Sequence, residues 1–493
     1  MTAPTIPSMR PPVPVLRLSP RVLLIDPIRM LPSLVVPLAG VLIAGGFSAA
    51  SFGWAALGVA ASVVFAVIRW ATFTYSIADG RLELTRAFIG RSVRTIPLER
   101  IRGVDVTAPP MHRVLGLAVL KLDTGAGGDE QEGELDGVTK QEAERLRATL
   151  LADREQHAAA ADDAAGHTGP EGRRYARVPR SWLRYGPLSG AYLFTPFALL
   201  AGAIGLAFQW GEEFGLNQRA AWRALEWLWD RPYLLVAAAA ALVLAMPVLG
   251  WLMYALFNWD FTLSGRGGYL IAERGLITRR VVSLERRRIR GYELGESLLE
   301  RRFHVARLWA VVTGLGDSRT RGQLLPVVPR PFAETVAVEA VGPIGAPLRR
   351  HPLMARRRRL FRAIVPWAVF AAIAFALGFV VVGCVLLLVA AAGVPLGLDR
   401  YRSLGHAFDG RRLSVRSGSV RRTQAVVERR AVVGWTIRQT WFQRGGRVLT
   451  VTAGVGAGKG GYSAVDTGEE QGVAFAAEVT PAWITPFLTS HDG

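Results

Sequence analysis

LERRRIRG, residues 284–291, sets four arginines and one glutamate between a leucine and a glycine. Taken alone it is a basic strip suited to phosphate. Its pattern returns twice, as LERIRG at 98–103 and VERRAVVG at 427–434. The shared positions are a branched apolar residue, Glu, Arg and a later glycine. They are Leu98, Glu99, Arg100 and Gly103, then Leu284, Glu285, Arg286 and Gly291, then Val427, Glu428, Arg429 and Gly434. Arginine density is not shared. The common part therefore reads as a structural signature used three times, and the extra arginines of the second copy as a candidate contact surface.

Each signature sits inside a longer repeat, over 73–107, 261–294 and 407–437. The order is the same each time: an extended segment, a Gly turn, a strand, a second Gly turn, a strand, the signature and one more strand. Alternation in RLELT, GLITRRVVSL and RLSVRSG suits half-buried antiparallel strands. Each repeat then closes with a strand and a helix. EGELDGV precedes TKQEAERLRATLL, where Thr139 and Glu142 fit a capping box. LLPVV precedes PRPFAETVAVEAV, with proline near the helix start, and GYSAVD precedes TGEEQGVAFAAEV. Short strands capped by one helix predict a small α+β barrel or sandwich.

Between the repeats lie apolar runs. Net charge is +20, yet hydrophobic residues make up 51% and mean hydropathy is +0.25. Basic and apolar segments must then be segregated along the chain. Leu31 to Ile68 and Ala363 to Leu398 contain no charged residue. A span needs about 20 apolar residues, so each stretch predicts a tight hairpin of two helices. The turns are placed near Gly45, Gly46, Ser48, Ser51 and Gly53, and near Gly378 and Gly383. Single spans are predicted over Ser189 to Trp210 and Pro232 to Phe257, with Trp54, Trp70, Trp210 and Trp251 at anchoring positions. Uncharged runs of this length, occurring four times, favour membrane helices over buried helices of a soluble protein. No ionisable residue stands out inside the spans, which argues against an ion-coupled carrier.

Arginine placement predicts the orientation. The hairpin turns carry no charge, and the loop 211–231 carries three arginines against four acids. The arginine-dense N-terminus and segments 71–188, 258–362 and 399–493 are expected in the cytoplasm, with both termini. The proline-rich N-terminus lacks the apolar run and cleavage site of a signal peptide. Cys384 is the single cysteine, which excludes a disulfide framework.

With hairpins and strand-rich units alternating, the chain resembles the bacterial membrane-flanked pleckstrin-homology family, in its three-copy, YdbT-like form. RTIPLERIRGVDVTAPPMHRVLGLAVLKLDTG (94–125) and GWTIRQTWFQR (434–444) are similar to that family's signature stretches. The first copy is shortened by two residues within its signature, and the third carries Val427 for Leu and lacks the Ile-Arg pair. The resemblance implies a bent antiparallel sheet closed by a helix in each unit. It implies little about biochemical activity.

The expectation is a multi-pass α-helical membrane protein of the bacterial cell membrane with three α+β pleckstrin-homology-like domains. Its parts are an N-terminal segment (1–30), hairpin 1 (31–70), domain 1 (71–153), a linker (154–188), span 3 (189–210), an extracytoplasmic loop (211–231) and span 4 (232–257). Domain 2 (258–348), a basic juxtamembrane segment (349–362), hairpin 3 (363–398) and domain 3 (399–493) follow. GAGGDEQEGE (125–134) reads as a loop between strands.

No catalytic constellation, metal motif or cofactor motif stands out. The histidines at 112, 157, 167, 304, 351, 406 and 491 have no metal spacing, and each reads as a surface or internally satisfied residue. AGVGAGKGG (453–461) fails as a phosphate loop, since Gly460 stands where Ser or Thr is needed. It reads as a turn between strands. The strongest functional signal is RRHPLMARRRRLFR (349–362), with Arg349, Arg350, Arg356, Arg357, Arg358, Arg359 and Arg362 beside a span. Its leading reading is a topology anchor. The alternative is retention of anionic phospholipid, at roughly 1 kcal/mol per basic residue. Nucleic acid is the weaker partner, because the bilayer already accounts for the charge. The favoured role is a non-enzymatic scaffold or adaptor whose units bind each other, a smaller membrane protein of the same family, or acidic head groups. The alternative role is a component of an envelope export or stress-resistance system acting on a hydrophobic peptide or lipid.

Overall fold

The computed structural model describes residues 15–26, 28–29, 48–87, 91–98, 101, 103–123, 133–150, 172–210, 223, 226–313, 322–343 and 345–487. The first expected span, the residues Glu99 and Arg100, and most of the expected loop at 125–134, of the linker and of the loop at 211–231 lie outside these.

The first repeat comprises β1 (Leu16–Arg17), helix α1 (Ala49–Thr72), β2 (Phe73–Ala78), β3 (Arg81–Ala87), β4 (Arg91–Pro97), β5 (Gly103–Ala108), α2 (Pro110–Val114), β6 (Leu117–Asp123), β7 (Glu134–Thr139) and α3 (140–150). The second comprises β8 (Arg174–Arg177), α4 (Thr195–Trp210), α5 (Pro232–Asn258), β9 (Thr262–Arg266), β10 (Tyr269–Arg274), β11 (Arg279–Glu285), β12 (Ile289–Ser297), α6 (Leu298–Arg302), β13 (Val305–Val312), β14 (Gln323–Pro329) and α7 (Arg330–Ala340). The third comprises α8 (Leu353–Ala376), α9 (Val380–Arg402), β15 (Gly405–Phe408), β16 (Arg412–Gly418), β17 (Arg421–Glu428), β18 (Val432–Arg438), α10 (Trp441–Arg444), β19 (Val448–Val455), β20 (Gly461–Gly468) and α11 (Glu469–Val479).

Two compact units result. The first is Met1–Arg173 with Gly265–Glu273 and Ile277–Glu285; the remainder is the second. In the first unit, β1-β2-β3-β4 form one sheet, and β5, β6 and β7 belong to another. Alternate residues of both fill a core of Leu82, Leu84, Leu120, Leu135 and Val138, which the closing helix α3 covers with Ala143, Leu146 and Leu150. Each fully buried leucine contributes about 1.5–3 kcal/mol. Thr139 Oγ1 accepts the Glu142 N–H at 3.2 Å and so caps that helix.

Strand pairings reach across the boundaries expected at 71, 258 and 399 in two ways. First, strands expected within the second domain join the first unit: β11 pairs antiparallel with β5, Arg279 opposite Ala108 and Val282 opposite Asp105. The second unit repeats the joint, with β12 pairing along β17 from Gly291–Val427 to Ser297–Arg421. A strand edge presents unpaired N–H and C=O groups, and the next repeat's strand satisfies them. Second, each fold begins before its apolar helices. β1 pairs with β2, β8 pairs with β9, and Arg349 bridges to His406. Residues 174–177 of the expected linker are therefore strand. A strand this short has too few positions to show alternation.

Among the described residues, four helices are long and apolar enough to cross a membrane: α1, α5, α8 and α9. The single run expected over 189–210 is instead a short helix, Gly190–Leu193, followed by α4. Pro196 lacks the N–H that would continue the ladder and disfavours helix just before it, so the helix restarts there. The α8–α9 pair is the expected tight hairpin, turning at Gly378. Small residues bring its backbones together: a Cβ on Gly393 would collide with the Ala363 carbonyl oxygen.

Gly393→Val is expected to force the two helices apart, lowering stability by about 1–3 kcal/mol. The thermal unfolding midpoint of the full chain in detergent measures this. An unchanged midpoint would mean that the close approach contributes nothing.

Candidate functional site

The arginine-rich segment preceding the fifth expected span begins with a strand bridge and continues into α8. The helix sorts its arginines by face. Ala355 and Ala363, two turns apart, are buried, and Arg358 and Arg359 point to that side. Arg358 Nε lies 3.2 Å from Asp466 Oδ1, and Arg359 lies 3.0 Å from Asp466 Oδ2. Asp466 is 1% exposed and also accepts a hydrogen bond from Gln443 Nε2 at 2.9 Å. These two arginines thus hold the helix to the β20 strand. Arg349 pairs with Glu478 at 2.8 Å, and the Arg350 carbonyl accepts from Gln471. Arg350, Arg356, Arg357 and Arg362 keep exposed side chains. The structure therefore divides the seven candidate arginines into two on buried Asp466, one in an exposed ion pair with Glu478 and four with exposed side chains.

Beside this cluster the fold places two histidines that the sequence did not connect. His351 Nδ1 donates to the Val465 carbonyl at 3.0 Å, and His406 Nδ1 lies 3.0 Å from His351 Nε2. His406 also packs against the Phe475 ring, 4.8 Å between centroids. Both rings are buried. Burial pushes His351 down to about 4, against the Val465 and Asp466 backbone bonds that favour its charge. His406 is pushed down to about 3 by burial, then by His351 and Arg349. Both are neutral at pH 7, and each N–H has an acceptor. Fifty-five residues separate them, so no local spacing could have announced the pair.

The joint between β12 and β17 carries its own charges. Glu293 accepts from Lys459 Nζ at 2.5 Å and from the Tyr462 hydroxyl at 2.7 Å. Burial, then the Glu293 charge, raises the Tyr462 phenol. Arg301 grips Asp399 with both terminal nitrogens at 2.6 and 2.9 Å and donates to the Ser419 carbonyl. Glu296 lies 3.0 Å from Arg330 and 3.6 Å from Arg422. Lys459, in the glycine-rich turn at 456–460 between β19 and β20, is thus an ion-pair partner there.

The signature residues divide likewise. Leu98, Leu284 and Val427 are buried. Arg286 donates to the Tyr175 hydroxyl and stacks over its ring at 5.0 Å, so the opening arginine of the second signature is tied to a pre-hairpin strand. Glu428 pairs with Arg430 at 2.6 Å. After each signature strand comes a short helix whose third residue is buried and partnered: His112 with Asp136, Glu300 with Arg307, Gln443 with Asp466. Among the described residues no cluster of His, Cys, Asp and Glu is arranged to hold a metal.

Three stretches, 28–154, 200–339 and 363–478, match the family model described as Bacterial PH domain. The chain belongs to this family. Each match runs from apolar helix through strands to closing helix, which is the repeat of this fold. The chain is also similar to the UPF0699 transmembrane protein YdbT of Bacillus subtilis (strain 168), 23% identical over 415 residues, 79% of this chain and 81% of that one. No solved structure matches it. Repeated PH domains, four span-length apolar helices among the described residues and a transmembrane relative make this a PH-domain membrane protein.

The histidines give a pH dependence. Their folded values lie below the ordinary 6.5, so the unfolded chain binds protons first. Their contribution is full above about pH 6.5 and is lost as pH falls through about 4 for His351 and about 3 for His406. One histidine accounts for about 1.4 kcal/mol per pH unit in that window. His406→Phe should flatten the acid limb of full-chain stability between pH 6.5 and 4; an identical slope would remove the histidines from the explanation. Separately, Arg358→Gln with Arg359→Gln strands a buried carboxylate and should destabilise by about 3–5 kcal/mol. Adding Asp466→Asn should recover part of that loss in chemical denaturation.

Proposed function

We propose that this Bacterial PH domain protein is a non-enzymatic membrane scaffold of six spans, with its termini and its three PH-like domains in the cytoplasm. The domains bind a protein partner, each other or acidic head groups. A smaller membrane protein of the same family is the fitting protein partner. The observation that carries this reading is the division of the arginine segment. Arg358 and Arg359 fix α8 to the third PH-like fold through Asp466, while Arg350, Arg356, Arg357 and Arg362 remain exposed beside an apolar helix. A domain anchored this way presents fixed positive charge at the expected membrane surface, where each basic residue contributes roughly 1 kcal/mol of attraction to anionic lipid.

The test is Arg356→Gln, Arg357→Gln and Arg362→Gln together, which leaves the Asp466 pairs intact. Retention of anionic phospholipid by the purified full chain, read by mass spectrometry, should fall about tenfold or more relative to zwitterionic lipid. Unchanged retention would restrict these side chains to orienting the helix.

A further inference from the structure

The chain makes one kind of joint twice. The strand after the signature in one repeat pairs with the strand before the signature in the next: β5 with β11, and β12 with β17. The register agrees. In the second joint Gly291 lies opposite Val427, its neighbours pairing Tyr292 with Val426 and Glu293 with Ala425. In the first, extending the observed pairs by two residues sets Gly103 opposite Leu284. Each time the signature glycine faces the apolar residue that opens the next signature. Three repeats make two joints, so one edge of each kind is left over. β18 is the outer strand of β18-β19-β20, and β4 is the outer strand of β1-β2-β3-β4. Among the described residues neither has a second neighbouring strand.

We propose that β18 of one copy pairs antiparallel with β4 of a second copy, in the register the chain already uses. Gly434 then lies opposite Leu98, and Ile437 opposite Thr95. This goes beyond the scaffold reading and does not need lipid binding.

Three observations select this occupant. The first is the signature glycine itself. A Cβ on Gly291 would collide with the Val426 carbonyl oxygen, so the β12–β17 joint requires glycine there. A Cβ on Gly434 would meet nothing within 4 Å, and Gly434 is not among the positive-φ glycines. Its own chain has no steric need for glycine at that place; a strand arriving as β17 arrives on β12 would have one. The second is continuity. α6 extends the existing joint, its Leu298 N–H donating to the Val420 carbonyl at 3.0 Å. The matching helix, α10, begins with Trp441 and Phe442, which are 87% and 81% exposed. With Val433 and Ile437 they make an exposed apolar margin along the β18 edge. The third is that β4 stands in its repeat where β11 and β17 stand in theirs, so the chain holds both halves of the joint.

Two features weaken the contact without preventing it. Leu98 turns its N–H to the Gly80 carbonyl at 2.9 Å, so by alternation Pro97 faces the open side with a carbonyl and no N–H. One ladder bond is lost. Arg438 would also lie opposite Arg94; both are exposed, where salt screens the repulsion. Proline and arginine on an edge also discourage promiscuous pairing. The two surfaces differ, so the contact is heterologous and propagates to a ring or a linear array.

The test uses the full chain with Cys384→Ser, carrying Ile437→Cys and Thr95→Cys. Mild oxidation in native membranes should give a ladder of covalent multimers. Replacing Thr95→Cys with Val93→Cys should reduce the ladder sharply, since the register is specified. Gly434→Val should leave the thermal unfolding midpoint unchanged and lower the multimer fraction about tenfold or more, because its side chain obstructs only the intermolecular joint. A monomeric mass at every concentration with no ladder would overturn the proposal. So would a cross-linked product of monomer size, a ladder indifferent to Gly434→Val, or an Ile437→Cys thiol that cross-links solely to a different protein.

Discussion

Backbone pairing between consecutive repeats is the constraint on which the rest of this structure depends. A PH-like sheet ends in an edge whose N–H and C=O groups need partners. Here the edge beyond the signature turn is filled by the strand that precedes the next signature. Gly291 makes this possible, because the Val426 carbonyl occupies the volume that a side chain would need. Once β12 and β17 are paired, the surrounding charges follow. Glu293 meets Lys459 and Tyr462, and Glu296 lies between Arg330 and Arg422. Those polar groups are placed by the ladder, and they brace it in turn.

The same economy of edges ties the sheets to the apolar helices. Short stretches before the apolar helices pair with the first strand after them, so one sheet holds the chain on both sides of those helices. In the third repeat this clamp is reinforced from the side, where Arg358 and Arg359 close on Asp466 and where His351 and His406 fill the adjoining interior as neutral rings. A buried carboxylate with two guanidinium partners fixes helix orientation. Arg350, Arg356, Arg357 and Arg362 of the same segment lie outside that cluster and keep exposed side chains.

Much of this was legible in the sequence. Leu98, Leu284 and Val427 with their following glycines marked three copies of one fold, and the uncharged runs marked the apolar helices that are described. Both signals are local, carried by periodicity and composition within a few tens of residues. The Thr139 cap is local too, and it sits where the sequence put it. β8 was missed because RYAR is too short to alternate visibly, and the break before α4 because hydropathy is blind to the missing N–H of Pro196.

Tertiary structure alone decided the pairings. Glu293 and Lys459 are 166 residues apart, and His351 and His406 are 55 apart; their meeting is set by which edge joins which. Likewise, seven arginines in one basic segment look equivalent until the phase of α8 turns Arg358 and Arg359 inward and leaves Arg356 and Arg357 outside. Sequence by itself determined what repeats, because each repeat's pattern is written in neighbouring residues. Only the folded chain determined how the repeats join, because an unpaired edge is satisfied by whichever strand the rest of the fold brings to it.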